Sequence, residues 1–224
     1  MKIYIGYDPK ETLAYHVLAH SILRRASRPV AISPIALTQL EAVFTRPRDA
    51  GQSTEFTYSR FLTPYLARGG TSLFLDSDML CLDDITKLDD IAYANPYTDC
   101  FVVKHDYTPR TKKKFLNQKQ TTYPCKNWSS VMVFNGHRSA VRELTPEYVN
   151  AASGMELHQF KWARVIGDLD KEWNHLVGEY AFNPCAKIVH FTLGGPWFEE
   201  YKDCDYAQQW RDELSHMLGG YLHP

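Results

Sequence analysis

No apolar run in this 224-residue chain approaches the roughly 20 residues that a bilayer-spanning helix requires. The opening residues, Met1-Lys2-Ile3-Tyr4-Ile5-Gly6, are too short an apolar stretch for a secretion signal and carry no small-residue cleavage site, which predicts a cytoplasmic protein. Cysteine is scarce. Five residues, an odd number without a C-x-x-C pair, argue against a disulfide framework and against a structural zinc site. Cys81 and Cys185 lie in apolar segments and read as buried thiols. An excess of charge is also lacking: 25 Lys and Arg against 26 Asp and Glu leave a formal charge of -1, so no global field favours nucleic acid or an anionic membrane. The one basic run, Lys112-Lys113-Lys114, reads first as a solvated face and second as a dock for an anionic acceptor or a phosphate. With no internal repeat, no low-complexity tract and no linker composition, residues 1–224 are expected to form a single domain.

What is present is an alternation of strand and helix patterns. Lys2 to Gly6 is a β-rich alternating run that ends at a glycine and feeds the loop Tyr7-Asp8-Pro9. Tyr15 to Arg25 carries Val17, Leu18, Ser21 and Ile22 at helical spacing. Val30 to Leu37 is a second strand, residues 40–55 a polar, mobile connection, and Tyr58 to Leu66 a helix that Pro64 is expected to kink. Ser72 to Leu75, Cys100 to Lys104, Ser129 to Asn135 and Ala186 to Phe191 are further strands. Thr145-Pro146-Glu147 has the N-cap, first-turn proline and acid of a helix start. Trp197 to Leu218 reads as a helical tail. The order predicts an α/β fold: a mixed, mostly parallel sheet with helices on both faces.

Leu73-Phe74-Leu75-Asp76-Ser77-Asp78 carries the most chemistry. A buried strand runs into two carboxylates one residue apart, at the end of the sheet where α/β folds bind ligands. Crowding two negative charges is unfavourable unless a cation neutralises them, and a divalent ion that does so can also bridge a diphosphate. An isolated D-x-D serves equally well as a helix cap or a solvated strand end. A phosphatase nucleophile is disfavoured because Met79-Leu80 follows and the motif is not on the first strand. His190, in Ile188-Val189-His190-Phe191-Thr192, is by itself a hydrogen-bonded structural histidine; beside an acid pair it becomes a candidate third metal ligand. The loop Gly6-Tyr7-Asp8-Pro9 is not the glycine-rich basic loop that a nucleotidyltransferase needs for a triphosphate.

Taken together and in order, Ile3 to Asp8, Tyr58-Ser59-Arg60-Phe61, Leu73 to Asp78, Ser130 to Asn135, and Val189-His190-Phe191 with Pro196-Trp197 resemble the retaining glycosyltransferases of the glycogenin and lipopolysaccharide galactosyltransferase type (family 8-like). The resemblance implies a Rossmann-like nucleotide-diphospho-sugar transferase domain of the glycosyltransferase A type. It implies a metal-dependent transfer of a hexose, with retention, from a nucleotide sugar such as UDP-glucose or UDP-galactose to an unidentified acceptor. It assigns Mn²⁺ or Mg²⁺ to Asp76, Asp78 and His190, and nucleotide contacts to Gly6, Tyr7, Asp8, Arg60 and Ser77, with Asp8 accepting the N3–H of uracil. On the sugar side it points to Gln159, with Ser129 and Ser130 as hydrogen-bonding groups. The chain departs from the family there: Trp128-Ser129-Ser130 replaces Asn-(Ser/Ala)-Gly, His158-Gln159 replaces Asp-Gln, and Gly195 stands where a lysine is common. Without an acid at position 158, attack on the same face as the leaving group is expected rather than a covalent intermediate. The competing reading is a nucleotide-sugar-binding protein with little turnover.

Overall fold

Alternation along three strands builds the frame. In β1 (Lys2–Gly6), Ile3 and Ile5 join one apolar layer and Tyr4 the other; β3 (Thr71–Leu75) divides Leu73 and Leu75 from Phe74, and β6 (Val131–Asn135) divides Val131 and Val133 from Met132 and Phe134. Both sets are buried, as expected of central strands covered on two faces. The structure, a computed structural model, describes residues 1–49, 52–111 and 123–219; Lys112, Lys113 and Lys114 lie outside the described residues.

With β2 (Ala31–Ile35), β5 (Cys100–Val102) and β7 (Ile166–Asp168) the sheet has the order β2-β1-β3-β6-β5-β7. All neighbours are parallel except where β6 pairs with β3 and β5, so β6 alone runs against the rest. One face is covered by α1 (Thr12–Arg25) and α3 (Lys87–Ala94) through Leu18, Ile22, Leu88 and Ala92. The other packs against Phe56, Phe61, Phe160 and Trp162, contributed by the segments around α2 (Thr63–Ala67), α4 (Ser139–Arg142), α5 (Pro146–Ala151) and α6 (Gly154–His158). This is the predicted mixed, mostly parallel sheet with helices on both faces.

A second sheet, β4-β9-β8, is built from β4 (Met79–Cys81), β8 (His175–Leu176) and β9 (Ile188–His190). Its register sets Met79 opposite His190. A buried serine locks it to the main body: Ser21 of α1 donates to the Leu18 carbonyl at 2.7 Å and accepts from the Cys81 amide at 3.1 Å.

Several expectations need correction. Pro64 does not kink a helix. It occupies the first turn of α2, where its missing N–H is harmless, and Ser59–Leu62 before it is a separate 3-10 turn. The 129–135 run begins its strand only at Val131, because Trp128–Ser130 is a 3-10 turn. The tail holds a 3-10 turn at Glu199–Tyr201 and is α-helical only in α7 (Ala207–Met217), after the left-handed residue Tyr206. Cys185 is exposed: it follows Asn183-Pro184, and its amide donates to Asn183 Oδ1 in a surface turn. Within the 40–55 connection, the Thr45 amide donates to Asn150 Oδ1, and Arg46 to the Val149 and Ala152 carbonyls.

α7 is held to α1 by a buried acid that no sequence pattern marked. Glu213 is 1% exposed and meets His20 at 2.6 Å, Arg25 at 2.6 Å and Arg24 at 3.2 Å. Burial opposes its ionisation, but Arg25, His20 and Arg24 outweigh burial and hold its carboxyl below the usual range. A depressed carboxyl pKa contributes stability above the unfolded value, near 4.3, that is lost as pH falls through the folded value. Glu213→Gln should therefore lower stability at pH 7 by about 1–3 kcal/mol, less than a fully buried pair because the cations remain partly solvated. The Tm gap to wild type should close as both are acidified below about pH 4; a gap independent of pH would leave only packing as its cause.

Candidate functional site

The antiparallel pairing of β3 with β6 brings the exit of one strand beside the entry of the other. The Asp76 amide donates to the Ser130 carbonyl at 3.0 Å, so Asp76 stands next to Asn127-Trp128-Ser129-Ser130. The pairing of β4 with β9 does the same for the second acid: the Phe191 amide donates to the Asp78 carbonyl at 2.8 Å, and His190 Nε2 lies 3.3 Å from Asp78 Oδ1. Asp76, Asp78 and His190 thereby offer three ligand atoms within 4.8 Å of one another. Two ligands on opposite sides of an ion at about 2.1 Å would be about 4.2 Å apart, so this donor set fits a small divalent cation.

Two groups prepare that corner. Arg60 is buried, lies over the Phe56 and Phe74 rings at 5.3 and 4.9 Å, and reaches Asp76 Oδ1 at 2.8 Å. The same nitrogen donates to the Ser129 carbonyl at 2.8 Å. Asn174, fully buried, is the other. Its Oδ1 lies 3.1 Å from His190 Nδ1, and its Nδ2 donates to Ser130 Oγ at 2.8 Å and to the Asn127 carbonyl at 3.2 Å. Since the Asn174 amide nitrogen is committed to two acceptors, its oxygen takes the His190 Nδ1 proton, which leaves the Nε2 lone pair facing the carboxylates. Sequence reasoning missed Asn174. It belongs to no motif, and only β8–β9 pairing carries it to His190.

These residues open on a cleft of about 380 Å³, within the usual range of ligand sites. Its walls include Arg60, Asp76, Asp78 and His190 with Ser129, Ser130 and Gln159, so the predicted metal and sugar-side groups do converge. Tyr58, from the Tyr58-Ser59-Arg60-Phe61 segment, lines it as well, as do Asn127, Lys126 and Thr192, to which the sequence assigned no role. Ser130 is largely spent within the protein, donating to the Asn127 carbonyl at 2.7 Å while accepting from Asn174. His158 sits in the wall with Nδ1 2.8 Å from Ser129 Oγ; burial and the Arg60 charge push its imidazole down to about 3, so it is neutral.

The remaining predicted nucleotide contacts do not line this cleft. Gly6 is buried beneath the Phe56 ring, which occupies the space a Cβ would need. Asp8 Oδ1 accepts the Lys10 amide at 3.0 Å and Oδ2 the Glu55 amide at 3.2 Å, tying the β1 loop to the segment that carries Ser53 and Thr54 into the cleft wall. Tyr7 meets Thr12 Oγ1 at 3.0 Å, and Ser77 is buried between the two acids. Gly195, too, is explained by packing, since a Cβ there would strike the Trp197 ring.

No family model matches the chain. In fold it is similar to the bifunctional glycosyltransferase WbbM (17% identity, TM-score 0.62, covering 96% of this chain and 49% of that one). It is similar also to the glycosyltransferase GlyE of Streptococcus pneumoniae TIGR4 (11% identity, TM-score 0.61, 97% of this chain and 62% of that one). A third likeness is to the galactosyltransferase LgtC, in a complex with donor and acceptor sugar analogues (12% identity, TM-score 0.56, 96% of each chain). The chain thus spans about half the length of WbbM and less than two thirds of GlyE. At these identities the likeness is one of fold, the glycosyltransferase A type. In sequence the chain is 42% identical over 223 residues to Protein CDI of Arabidopsis thaliana, covering 95% of this chain and 85% of that protein. The chain therefore belongs to the family of the Arabidopsis thaliana Protein CDI.

Proposed function

We propose that this protein is a metal-dependent glycosyltransferase of the glycogenin-like type that transfers a hexose from a UDP-sugar, with retention, to an acceptor the sequence does not identify. The observation that carries the reading is the convergence of Asp76, Asp78 and His190 at the carboxyl end of β3, on the wall of a polar cleft, in a fold shared with glycosyltransferases.

A bound Mn²⁺ or Mg²⁺ would act as a Lewis acid on the leaving diphosphate. The chain's own groups do the rest. Arg60 braces Asp76 and the Ser129 carbonyl. Asn174 holds the His190 ring in its ligating orientation. Gln159 and Ser129 orient the sugar. Among the described residues that line the cleft, Asp76 and Asp78 are the only carboxylates, and both belong to the metal corner. Among those lining residues no acid is left on the sugar side for a covalent intermediate, which favours same-face attack. Asp8 is buried outside the cleft with its oxygens accepting the Lys10 and Glu55 amides, so reading a uracil N3–H would use the second lone pair of an oxygen once the β1 loop admits the base.

UDP should bind at least about 100-fold more weakly in EDTA than with Mn²⁺, since the diphosphate then faces two bare carboxylates. Calorimetry in the two buffers decides it, and equal affinities would remove the metal bridge; hydrolysis of UDP-glucose or UDP-galactose separates a transferase from a mere binder.

Asn174→Ala removes no ligand yet frees the His190 ring, and should weaken Mn²⁺ affinity by about 10- to 100-fold. Unchanged affinity would make Asn174 purely structural.

UDP should be preferred to CDP, and Asp8→Ala should narrow the preference while lowering Tm through loss of the loop's two amide contacts. Wild-type protein that binds UDP and CDP alike would take Asp8 out of base recognition.

A further inference from the structure

A second cavity, of about 400 Å³, lies between α2 and α4, at the end of β3 and β6 away from the acids. The Gly136 amide donates to the Gly70 carbonyl there at 2.9 Å. The five residues of β3, about 16 Å of extended chain, separate the cavity from the Asp76 corner. Part of its lining is apolar and buried: Pro64, Val141 and Leu144. The rest is basic. Arg68, Arg142 and His137 are exposed, and no carboxylate is among the described residues that line it.

The two arginines are unspent. Elsewhere the guanidinium groups are committed within the protein: Arg25 to Glu213 and the Ser21 carbonyl, Arg28 to Asp90 and the Thr86 carbonyl, Arg138 to Asp99. Arg68 and Arg142 make no ion pair and no side-chain hydrogen bond among the described residues. Each closes a short helix, where a basic side chain commonly binds the last carbonyls, and neither guanidinium does so. Arg68 is also left-handed, with φ 54°, in the C-cap position of α2. Glycine takes that conformation without strain, so the arginine side chain is kept there against the backbone's preference.

We propose that this cavity is a second binding site, for a small phosphate ester, with the phosphate held by Arg68 and Arg142 and the organic part received by Pro64, Val141, Leu144 and the Tyr65 ring. A guanidinium matches phosphate oxygens with paired N–H donors. A phosphomonoester approaches two negative charges at neutral pH, one for each arginine, whereas a carboxylate brings one. The site stands apart from the cleft, so its ligand would not compete with the nucleotide, and the inference does not rest on the transferase reading.

The test is a calorimetric titration of the full chain with phenyl phosphate, in EDTA and without nucleotide. Wild-type protein should bind it with a Kd of about 1 mM or tighter, the worth of two charge-assisted contacts. Inorganic phosphate, which leaves the apolar lining uncovered, and benzoate, with a single charge, should each bind at least about 3-fold more weakly. Arg68→Gly suits the left-handed backbone, so it should keep or raise Tm while weakening phenyl phosphate about 10-fold. Arg142→Gln should weaken it by a similar factor, which decides the matter if the glycine variant fails to fold. A wild type that does not bind phenyl phosphate, or binds it no better than benzoate or inorganic phosphate, overturns the proposal. Affinity retained in both variants would place the phosphate elsewhere, at Arg60 or Lys126 in the cleft, and overturns it too.

Discussion

Two carboxylates held one residue apart at the end of a buried strand repel each other, and much of the structure around them compensates for that repulsion. Asp76 leans on Arg60, a buried cation supported by two aromatic faces; Asp78 faces His190. Arg60 sets one positive charge against the two carboxylates, and a divalent ion would offset the remainder.

The compensation depends on strand pairing more than on the motif. β6 runs against its neighbours, and this single reversal puts the turn Asn127–Ser130 at the ligand end of the sheet. Had β6 been parallel to β3, its opposite end, at Asn135, would have met the acids. The small second sheet supplies His190 by a register in which it faces Met79, one residue past Asp78. Because β4 is held to α1 by Ser21, and α1 to α7 by the cluster around Glu213, the position of the histidine is coupled to elements far from the cleft.

Much of the first half was legible in the sequence, for reasons of local physics. β1, α1 and β3 carry unbroken apolar periodicity, and Thr145-Pro146 announces α5 with a cap that the structure contains, Thr145 accepting the Tyr148 amide. Short elements were not legible. β4, β7 and β8 are two or three residues long, too short for a period, and they exist because neighbouring strands complete their hydrogen bonds. Cys185 was misjudged because its apolar flanks outweighed the Asn-Pro turn that places it on the surface.

The sequence by itself determined that a buried strand ends in two acids, that a late β-rich run carries a histidine, and that the chain is an alternating α/β fold. These are local facts, set by residue type and spacing. Only the tertiary structure decided that His190 meets Asp78, that Arg60 joins Asp76 to Ser129, that Asn174 meets the imidazole, and that His158 meets the Ser129 hydroxyl. Each of those contacts spans from 16 to over 100 residues of chain, and its partners are chosen by strand register and helix packing, which are properties of the whole core rather than of any segment within it.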